Sequence, residues 1–111
     1  MLICDGQTQE LSCDDGYVIS MITSERHVAS SKYKIYGRFD TTTCTNAPIQ
    51  EECIANNAYN IILRNCYGKQ RCSITADVAY FEEDPEACKD IPKYVQLKYT
   101  CERAGEIYLY L

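Results

Sequence analysis

The residues that could carry chemistry are one histidine and a late run of carboxylates. His27 is the only histidine, and acid–base catalysis of the ribonuclease type uses a pair of such groups, so we predict an exposed loop residue. The acidic run comprises Glu82, Glu83, Asp84 and Glu86. Two opposed carboxylates can hydrolyse a glycosidic bond, but a charge run is usually a solvated loop. Neither a G-x-S-x-G motif nor a spaced Asp/Asn calcium loop is present. The sequence therefore predicts no enzyme, no metal site and no cofactor.

The eight cysteines among 111 residues are the second chemical feature. No two of them form a C-x-x-C pair, and the single histidine could not complete a zinc site. We therefore predict disulfides and an oxidising compartment. Eight cysteines allow about 105 complete pairings, so spacing leaves the connectivity open. Only Cys66–Cys72, which would close a tight local loop, is a candidate pair on spacing alone.

Charge and hydropathy exclude two classes of partner. The net charge is −5 and no run of Lys or Arg occurs, which argues against a nucleic-acid surface. No stretch of about 18 apolar residues is present, so we predict no direct membrane insertion. The opening Met1-Leu2-Ile3-Cys4 is too short for a signal peptide, and since the cysteines imply secretion, we expect a signal removed from the mature chain.

The segment that must position the acidic run is Asp84 to Cys101. Asp84-Pro85 and Ile91-Pro92 predict turn or loop, because proline fixes its own backbone and biases the preceding residue towards extended forms. From Lys93 onward, polar and apolar side chains alternate as in a half-buried strand. A polar loop pinned by a cysteine beside a rigid strand is a common support for a binding surface.

Other segments have simpler patterns. Strands are predicted at Gln9–Cys13 and Tyr17–Thr23, and Ser73–Phe81 is interpreted as a strand end followed by a helical turn. Between Cys53 and Cys66 the apolar residues follow one helix face, with Asn56 or Asn57 as a possible cap; these residues are Ile54, Ala58, Ile61 and Ile62.

Glycine and the C-terminus give two further expectations. Gly37, between Tyr36 and Arg38, suggests a backbone position that only glycine tolerates, with the flanking side chains held outward. The terminal segment 105–111 is apolar and alternating, which is compatible with an added edge strand or a partner contact.

Several short motifs and the order of the cysteines can be compared with a known family. The motifs are Cys4-Asp5-Gly6, Tyr36-Gly37-Arg38, the helix end from Arg64 to Cys72, and the late series Asp84-Pro85, Cys88 and Lys93-Tyr94-Val95. Together they resemble the sea-urchin-egg-lectin (SUEL) domain, a galactose- or rhamnose-binding lectin module that also occurs in latrophilin-type receptors. All eight family cysteines have counterparts, and the resemblance covers roughly residues 3 to 102.

That resemblance implies a fold and a disulfide pattern. The fold would be α+β but mainly β: a compact antiparallel β-sandwich with one longer and one short helix and four disulfides. The implied pairs are Cys4–Cys44, Cys13–Cys101, Cys53–Cys88 and Cys66–Cys72. The SUEL-type domain would span residues 1–104, and residues 105–111 would be an apolar tail or an added strand.

The resemblance also implies a sugar site. A deoxyhexose or galactose offers vicinal hydroxyls and an apolar C–H face, so its site needs carboxylate acceptors, a donor and an apolar wall. Asp5 stands at the family's acceptor glutamate, Tyr36 at its tyrosine and Lys93 at its donor lysine, with Asp77 or Asp90 at the rim. From the residues alone, Tyr36 could instead be a core tyrosine and Lys93 an ordinary solvated lysine.

Departures from the family motifs leave two functions open. Asp5 is one methylene shorter than glutamate, Asp90 replaces a glycine, and Glu86-Ala87 are inserted before Cys88. One hypothesis is an extracellular, calcium-independent carbohydrate-binding module for rhamnose, galactose or a glycoconjugate, with altered specificity. The other is a protein-interaction module of an adhesion or guidance receptor that has lost sugar binding and uses the loops at 28–35 and 82–92. Either would be secreted or the extracellular part of a cell-surface protein.

Overall fold

Short antiparallel strands joined by long loops form most of the molecule. The structure is a computed structural model that describes residues 1–24 and 34–107, without the side chains of residues 106 and 107. The strands are β1 (Leu2–Ile3), β2 (Thr8–Ser12), β3 (Tyr17–Thr23), β4 (Tyr36–Arg38), β5 (Cys53–Ile54), β6 (Arg71–Thr75), β7 (Tyr94–Gln96) and β8 (Lys98–Arg103). The helices are α1 (Ala58–Cys66), α2 (Val78–Phe81), a 3-10 helix (Glu86–Cys88) and α3 (Ala104–Ile107). His27 and most of the loop at 28–35 lie outside the described residues.

The strands form one four-stranded sheet and two antiparallel pairs. The sheet has the order β1-β7-β4-β5, and the pairs are β2 with β6 and β3 with β8. The predicted strands at Gln9–Cys13 and Tyr17–Thr23 are therefore confirmed, as is the strand and helical turn within Ser73–Phe81. The alternating strand after Lys93 is confirmed but interrupted at Leu97, where the chain leaves the sheet and pairs with β3 instead.

Helix α1 buries the apolar face that the sequence indicates. Ala58, Ile61 and Ile62 are buried, and the helix ends at Cys66 as predicted. Its first turn differs from the prediction: Asn57 is at the N-cap position, but its side chain caps no backbone N–H. Instead, the Glu83 carboxylate accepts hydrogen bonds from the backbone N–H groups of Asn56 and Asn57, at 3.0 and 3.2 Å. Part of the acidic run is thus committed to supporting a helix start.

One hydrophobic core joins the sheets to α1 and α2. In it, the rings of Tyr36 and Phe81 stack with centroids 4.3 Å apart, which packs β4 against α2. Its other members are apolar and buried, and they include Ile3, Leu11, Ile19, Ile22, Ile61, Ile62, Ile74, Val95 and Leu97. Burial on this scale stabilises the fold by roughly 25 cal/mol for each Å² of apolar surface removed from water.

The four disulfides have the predicted pairing: Cys4–Cys44, Cys13–Cys101, Cys53–Cys88 and Cys66–Cys72. The predicted fold class, mainly antiparallel β with one longer and one short helix, is confirmed, with α3 and the 3-10 helix in addition. Residues 104–107 are helical, so this part of the tail is not the added strand that alternation suggested. The remainder of the tail lies outside the described residues, and the domain boundary at residue 104 stays a prediction.

Candidate functional site

A tight turn after β1 presents Asp5. The backbone N–H of Gln7 donates to the Cys4 carbonyl at 2.9 Å, with Gly6 at φ 77° in the position where a type II turn favours glycine. The Cys4–Cys44 disulfide anchors the turn at its start. The Asp5 side chain is exposed, and one of its oxygens accepts a long 3.4 Å hydrogen bond from the backbone N–H of Lys93. This places the predicted acceptor beside the predicted donor.

Tyr36 is fully buried on β4, yet its hydroxyl has no hydrogen-bond partner among the described residues. Burial is the main cause that raises the pKa of this phenol, and the charges of Asp5, Asp77 and Asp84 raise it further. The hydroxyl is therefore neutral at physiological pH, and three carboxylates lie close enough to act on it electrostatically. A buried polar group without a partner is costly, so this hydroxyl calls for an explanation.

Gly37 allows β4 and β5 to approach closely. Its φ of 155° lies at the edge of the left-handed region, and a Cβ atom there would lie 2.1 Å from the Cys53 carbonyl oxygen. The prediction that only glycine fits is confirmed. The prediction that its neighbours point outward is wrong, because Tyr36 and Arg38 are both fully buried. β4 is an inner strand of its sheet, so its side chains are covered by packed elements.

Arg38 ties two loops together. Its guanidinium donates to the carbonyl of Pro92 at 3.1 Å and to that of Thr45 at 2.5 Å, and it lies over the Tyr94 ring, 5.7 Å from the centroid. One planar side chain thus fixes the loop at 82–92 relative to the segment that follows Cys44.

Asp40 anchors the start of that second loop. The Tyr94 hydroxyl accepts from the backbone N–H of Phe39 at 2.9 Å and donates to Asp40 at 3.2 Å. The Thr43 hydroxyl donates to the other Asp40 oxygen at 2.6 Å. This hydrogen bond is the largest cause that lowers the pKa of the Asp40 carboxyl.

Lys93 is buried rather than solvated, with only 5 % of its surface exposed. Its ammonium donates to the carbonyls of Cys88 and Ile91, at 3.1 and 3.0 Å, and forms an ion pair with Asp84 at 3.4 Å. The interpretation of an ordinary solvated lysine is therefore wrong. Two of the three N–H bonds hold the loop in shape, and the third faces a carboxylate that is still partly exposed.

The two rim aspartates occupy different positions. Asp90 is exposed and has φ 65°, a left-handed conformation that aspartate tolerates better than most residues. The backbone at the family's glycine position thus keeps a conformation suited to glycine. Asp77 caps α2, because its carboxylate accepts from the backbone N–H of Tyr80 at 2.7 Å.

A cavity of about 280 Å³ lies between the turn at Asp5 and the loop that ends at Lys93. Its lining consists of Asp5, Asp84, Asp90, Lys93, Val78, Ile91 and Pro92. Three of the predicted site residues, Asp5, Asp90 and Lys93, therefore meet there, while Tyr36 and Asp77 do not line it. The Tyr36 hydroxyl is linked to the cavity because the charges of Asp5 and Asp84 act on it. Asp84 was missed as a site residue, although the Asp-Pro motif of the late series contained it.

The described chain has other surface features. A larger cavity of about 690 Å³ lies between α1 and the β3–β8 pair, and no predicted site residue lines it. No cluster of three or more metal-ligating side chains occurs within residues 1–24 and 34–107. Nor does that part of the chain contain a helix long and apolar enough to cross a membrane.

Comparison with known proteins identifies the family of the chain. A family model described as the D-galactoside/L-rhamnose binding SUEL lectin domain matches residues 11–101. The chain belongs to the SUEL lectin family. This SUEL chain is 32 % identical over 104 residues to the L-rhamnose-binding lectin ELEL-1 of Echinometra lucunter, covering 91 % of the chain and 88 % of that lectin.

Two longer proteins are also similar to the chain. The L-rhamnose-binding lectin SML of Scomberomorus niphonius is 36 % identical over 104 residues, which cover 88 % of the chain. The Latrophilin-like protein 1 of Caenorhabditis elegans is 35 % identical over 103 residues, which cover 89 % of the chain. The matched region spans 45 % of the first protein and 9 % of the second. The family description names a binding activity and no reaction.

Proposed function

We propose that this SUEL domain is an extracellular, calcium-independent carbohydrate-binding module for a neutral hexose or deoxyhexose of the galactose or rhamnose type. The observation that carries the proposal is the Tyr36 hydroxyl, which is buried, neutral and without a partner beside the carboxylates of a small cavity. A sugar hydroxyl would provide the missing hydrogen bond.

The cavity supplies the three kinds of group that a sugar needs. The carboxylates of Asp5, Asp84 and Asp90 accept hydrogen bonds from sugar hydroxyls. The third N–H of Lys93, whose Nζ lies 3.4 Å from Asp84, is shared between that carboxylate and a sugar hydroxyl. The apolar part of the lining packs against the C–H face of the ring; it consists of Val78, Ile91 and Pro92. No metal is needed in this scheme, because protein groups provide every donor and acceptor.

Two features favour a specificity that differs from that of the family. Asp5 is shorter than glutamate, so its carboxylate lies further from a sugar in the family position. Asp90 places a charged side chain at the cavity where the family has glycine. Polar sites discriminate strongly when one partner moves, because the groups left unpaired have lost their water.

The extracellular location is supported by the four disulfides, which persist in oxidising compartments. The similarity to rhamnose-binding lectins and to a latrophilin-like protein agrees with this location. An extracellular protein partner stays an alternative hypothesis. Most of its first proposed contact loop, 28–35, lies outside the described residues.

The test is a calorimetric titration with L-rhamnose and D-galactose of the native chain, Tyr36→Phe and Tyr80→Phe. Tyr80 is the matched control, because its hydroxyl is also buried without a partner and its ring, like that of Tyr36, does not line the cavity. The Tyr36 hydroxyl differs in lying close enough to Asp5 and Asp84, which do line the cavity, to feel their charges. We expect Tyr36→Phe to weaken binding about tenfold, the equivalent of about 1.4 kcal/mol. Its free energy of unfolding should stay unchanged or rise by up to about 1 kcal/mol, since a costly buried hydroxyl is removed.

Tyr80→Phe should bind as the native chain does. Absence of binding by the native chain to either sugar at millimolar concentration would reject the lectin function and favour the protein-interaction alternative. Equal weakening in both variants would reject the role of Tyr36.

A further inference from the structure

A second cavity of about 520 Å³ adjoins the first on the far side of Ile91. Ile91 lines both, and the remaining wall of the second consists of Pro48, Ile49, Gln50, Glu51, Glu86 and Ala87. The first cavity alone is smaller than the roughly 300–1,000 Å³ of most ligand sites, while the second falls within that range. The geometry points to one extended site rather than a pocket for a single sugar ring.

We propose that the second cavity binds the next residue of a neutral glycan whose terminal sugar occupies the first. This proposal rests on the proposed function and names its substrate class: a saccharide of at least two residues without acidic groups.

The walls of the second cavity are held in place before any ligand binds. Arg38 joins the Thr45 and Pro92 carbonyls, so the two loops that face each other are fixed by one buried side chain. The Cys53–Cys88 disulfide joins the end of one loop to the 3-10 helix of the other. A site that is ordered in advance spends less of its binding energy on immobilising loops.

The lining of the second cavity has the mixed chemistry that a pyranose requires. Glu51 and Glu86 are exposed, and no described residue forms a hydrogen bond or ion pair with either carboxylate. Gln50 can both donate and accept. The apolar surface for a C–H face comes from Pro48, Ile49, Ala87 and Ile91.

The negative charge of the two cavities favours neutral glycans over acidic ones. Lys93 is the only cation of the described chain that lines either cavity, and Asp84 already pairs with its ammonium. The acidic lining residues number five across the two cavities: Asp5, Asp84, Asp90, Glu51 and Glu86. A sugar carboxylate or sulfate would therefore enter a field of its own sign and be repelled, over a range of about 8 Å at physiological salt.

Part of the wall of the second cavity departs from the family motif. Glu86 and Ala87 are the two residues that separate Asp84-Pro85 from Cys88, where the resembled motif has none. The 3-10 helix that they begin forms one side of the second cavity. In this proposal the insertion does not disrupt the sugar site but enlarges it by adding a wall to the second cavity.

The experiment compares D-galactose with lactose and lactobionate, in which the same galactose carries a second residue: neutral glucose in lactose and acidic, open-chain gluconate in lactobionate. The native chain is titrated with each, together with Glu86→Ala, Glu86→Gln and the control Glu10→Ala. Glu10 is an exposed carboxylate on β2 that lines neither cavity. We expect lactose to bind at least tenfold more tightly than galactose, and lactobionate more weakly than lactose.

In Glu86→Ala the advantage of lactose should fall to less than threefold, while galactose affinity stays within twofold of native. In Glu86→Gln the penalty on lactobionate should shrink, as it should for the native chain in 1 M salt, whereas Glu10→Ala should match the native chain. If galactose binds but lactose gains nothing, or if the gain survives Glu86→Ala, the extended site is rejected and the proposed function stands. If none of the three sugars binds, the extended site is rejected; the proposed function is rejected with it if L-rhamnose does not bind either.

Discussion

Lys93 has two roles at the scale of single residues: it borders the cavity proposed to bind sugar, and it holds the loop that forms that cavity. Its ammonium bridges the carbonyls of Cys88 and Ile91, and so reinforces the turn in which the Ile91 backbone N–H donates to the Cys88 carbonyl at 3.1 Å. Hydrogen bonds from a buried charged donor contribute about 1.5–3 kcal/mol each to stability. The loop conformation at Asp90 and the position of Asp84 both depend on this centre.

Lys93→Ala should therefore lose sugar binding and also lower the free energy of unfolding, by roughly 2–3 kcal/mol. Lys89→Ala is the matched control, since Lys89 is an exposed lysine of the same loop. It should change neither quantity. Chemical denaturation and sugar titration of both variants measure the effects. A Lys93→Ala protein with native stability would show that the loop is held by other contacts.

At the scale of elements, β4 carries the Tyr36-Gly37-Arg38 motif as a unit. The first residue presents a hydroxyl near the cavity, the second lets β5 approach, and the third fixes two loops. These three roles require a strand with neighbours on both edges, which β4 has in β7 and β5. The motif therefore organises the architecture around the candidate site.

Gly37→Ala should destabilise the fold by on the order of 3 kcal/mol, because the new methyl group meets backbone and the residue is strained. Gly68→Ala is the control: its φ is 79°, but a Cβ there meets nothing within 4 Å. It should cost about 1–2 kcal/mol from backbone strain alone. Equal losses in denaturant unfolding would mean that β4 and β5 can separate without penalty.

Some elements could be predicted from the sequence and others could not, for physical reasons. Periodicity predicted α1, because the helix buries one regular face. An apolar run predicted β3, in which the consecutive residues Val18 and Ile19 are both buried. The pattern could not show that the strand is interrupted at Leu97, because Leu97 is buried where the chain passes from one sheet to the next and so fits the alternation of a continuous strand. Glu83 supports α1 from a distant loop, and no local capping pattern encodes such a contact.

At the scale of the whole molecule, the cysteine order was the most informative signal, since it identified the family and with it the complete pairing. The site was predicted in part. Asp5, Asp90 and Lys93 do meet at one cavity, whereas the burial of Lys93 and the role of Asp84 depend on three-dimensional packing. The second cavity arises from two loops about 40 residues apart and has no motif of its own.

Loss of the Cys13–Cys101 disulfide by paired Ala substitutions should cost more than loss of Cys66–Cys72. These bridges span sequence separations of 88 and 6 residues. The remaining disulfides shorten the covalent path between Cys13 and Cys101, so we expect a loss of about 3.5 kcal/mol against about 2.5 kcal/mol in the chain-entropy model. Unfolding of each variant, with its other bridges intact, measures the difference. A larger loss for Cys66–Cys72 would point to native-state packing rather than chain entropy.

The disulfides at the two ends of the loop at 45–52 have a consequence for survival outside the cell. Exposed loop segments of this kind are where proteases cut first. Cys44 is bonded to Cys4 and Cys53 to Cys88, so a single cut between them would leave each new end tethered close to the two cavities, one end next to Asp5 and the other next to Ala87. The two fragments of a nicked chain would stay joined by Cys13–Cys101, so they would separate only after reduction.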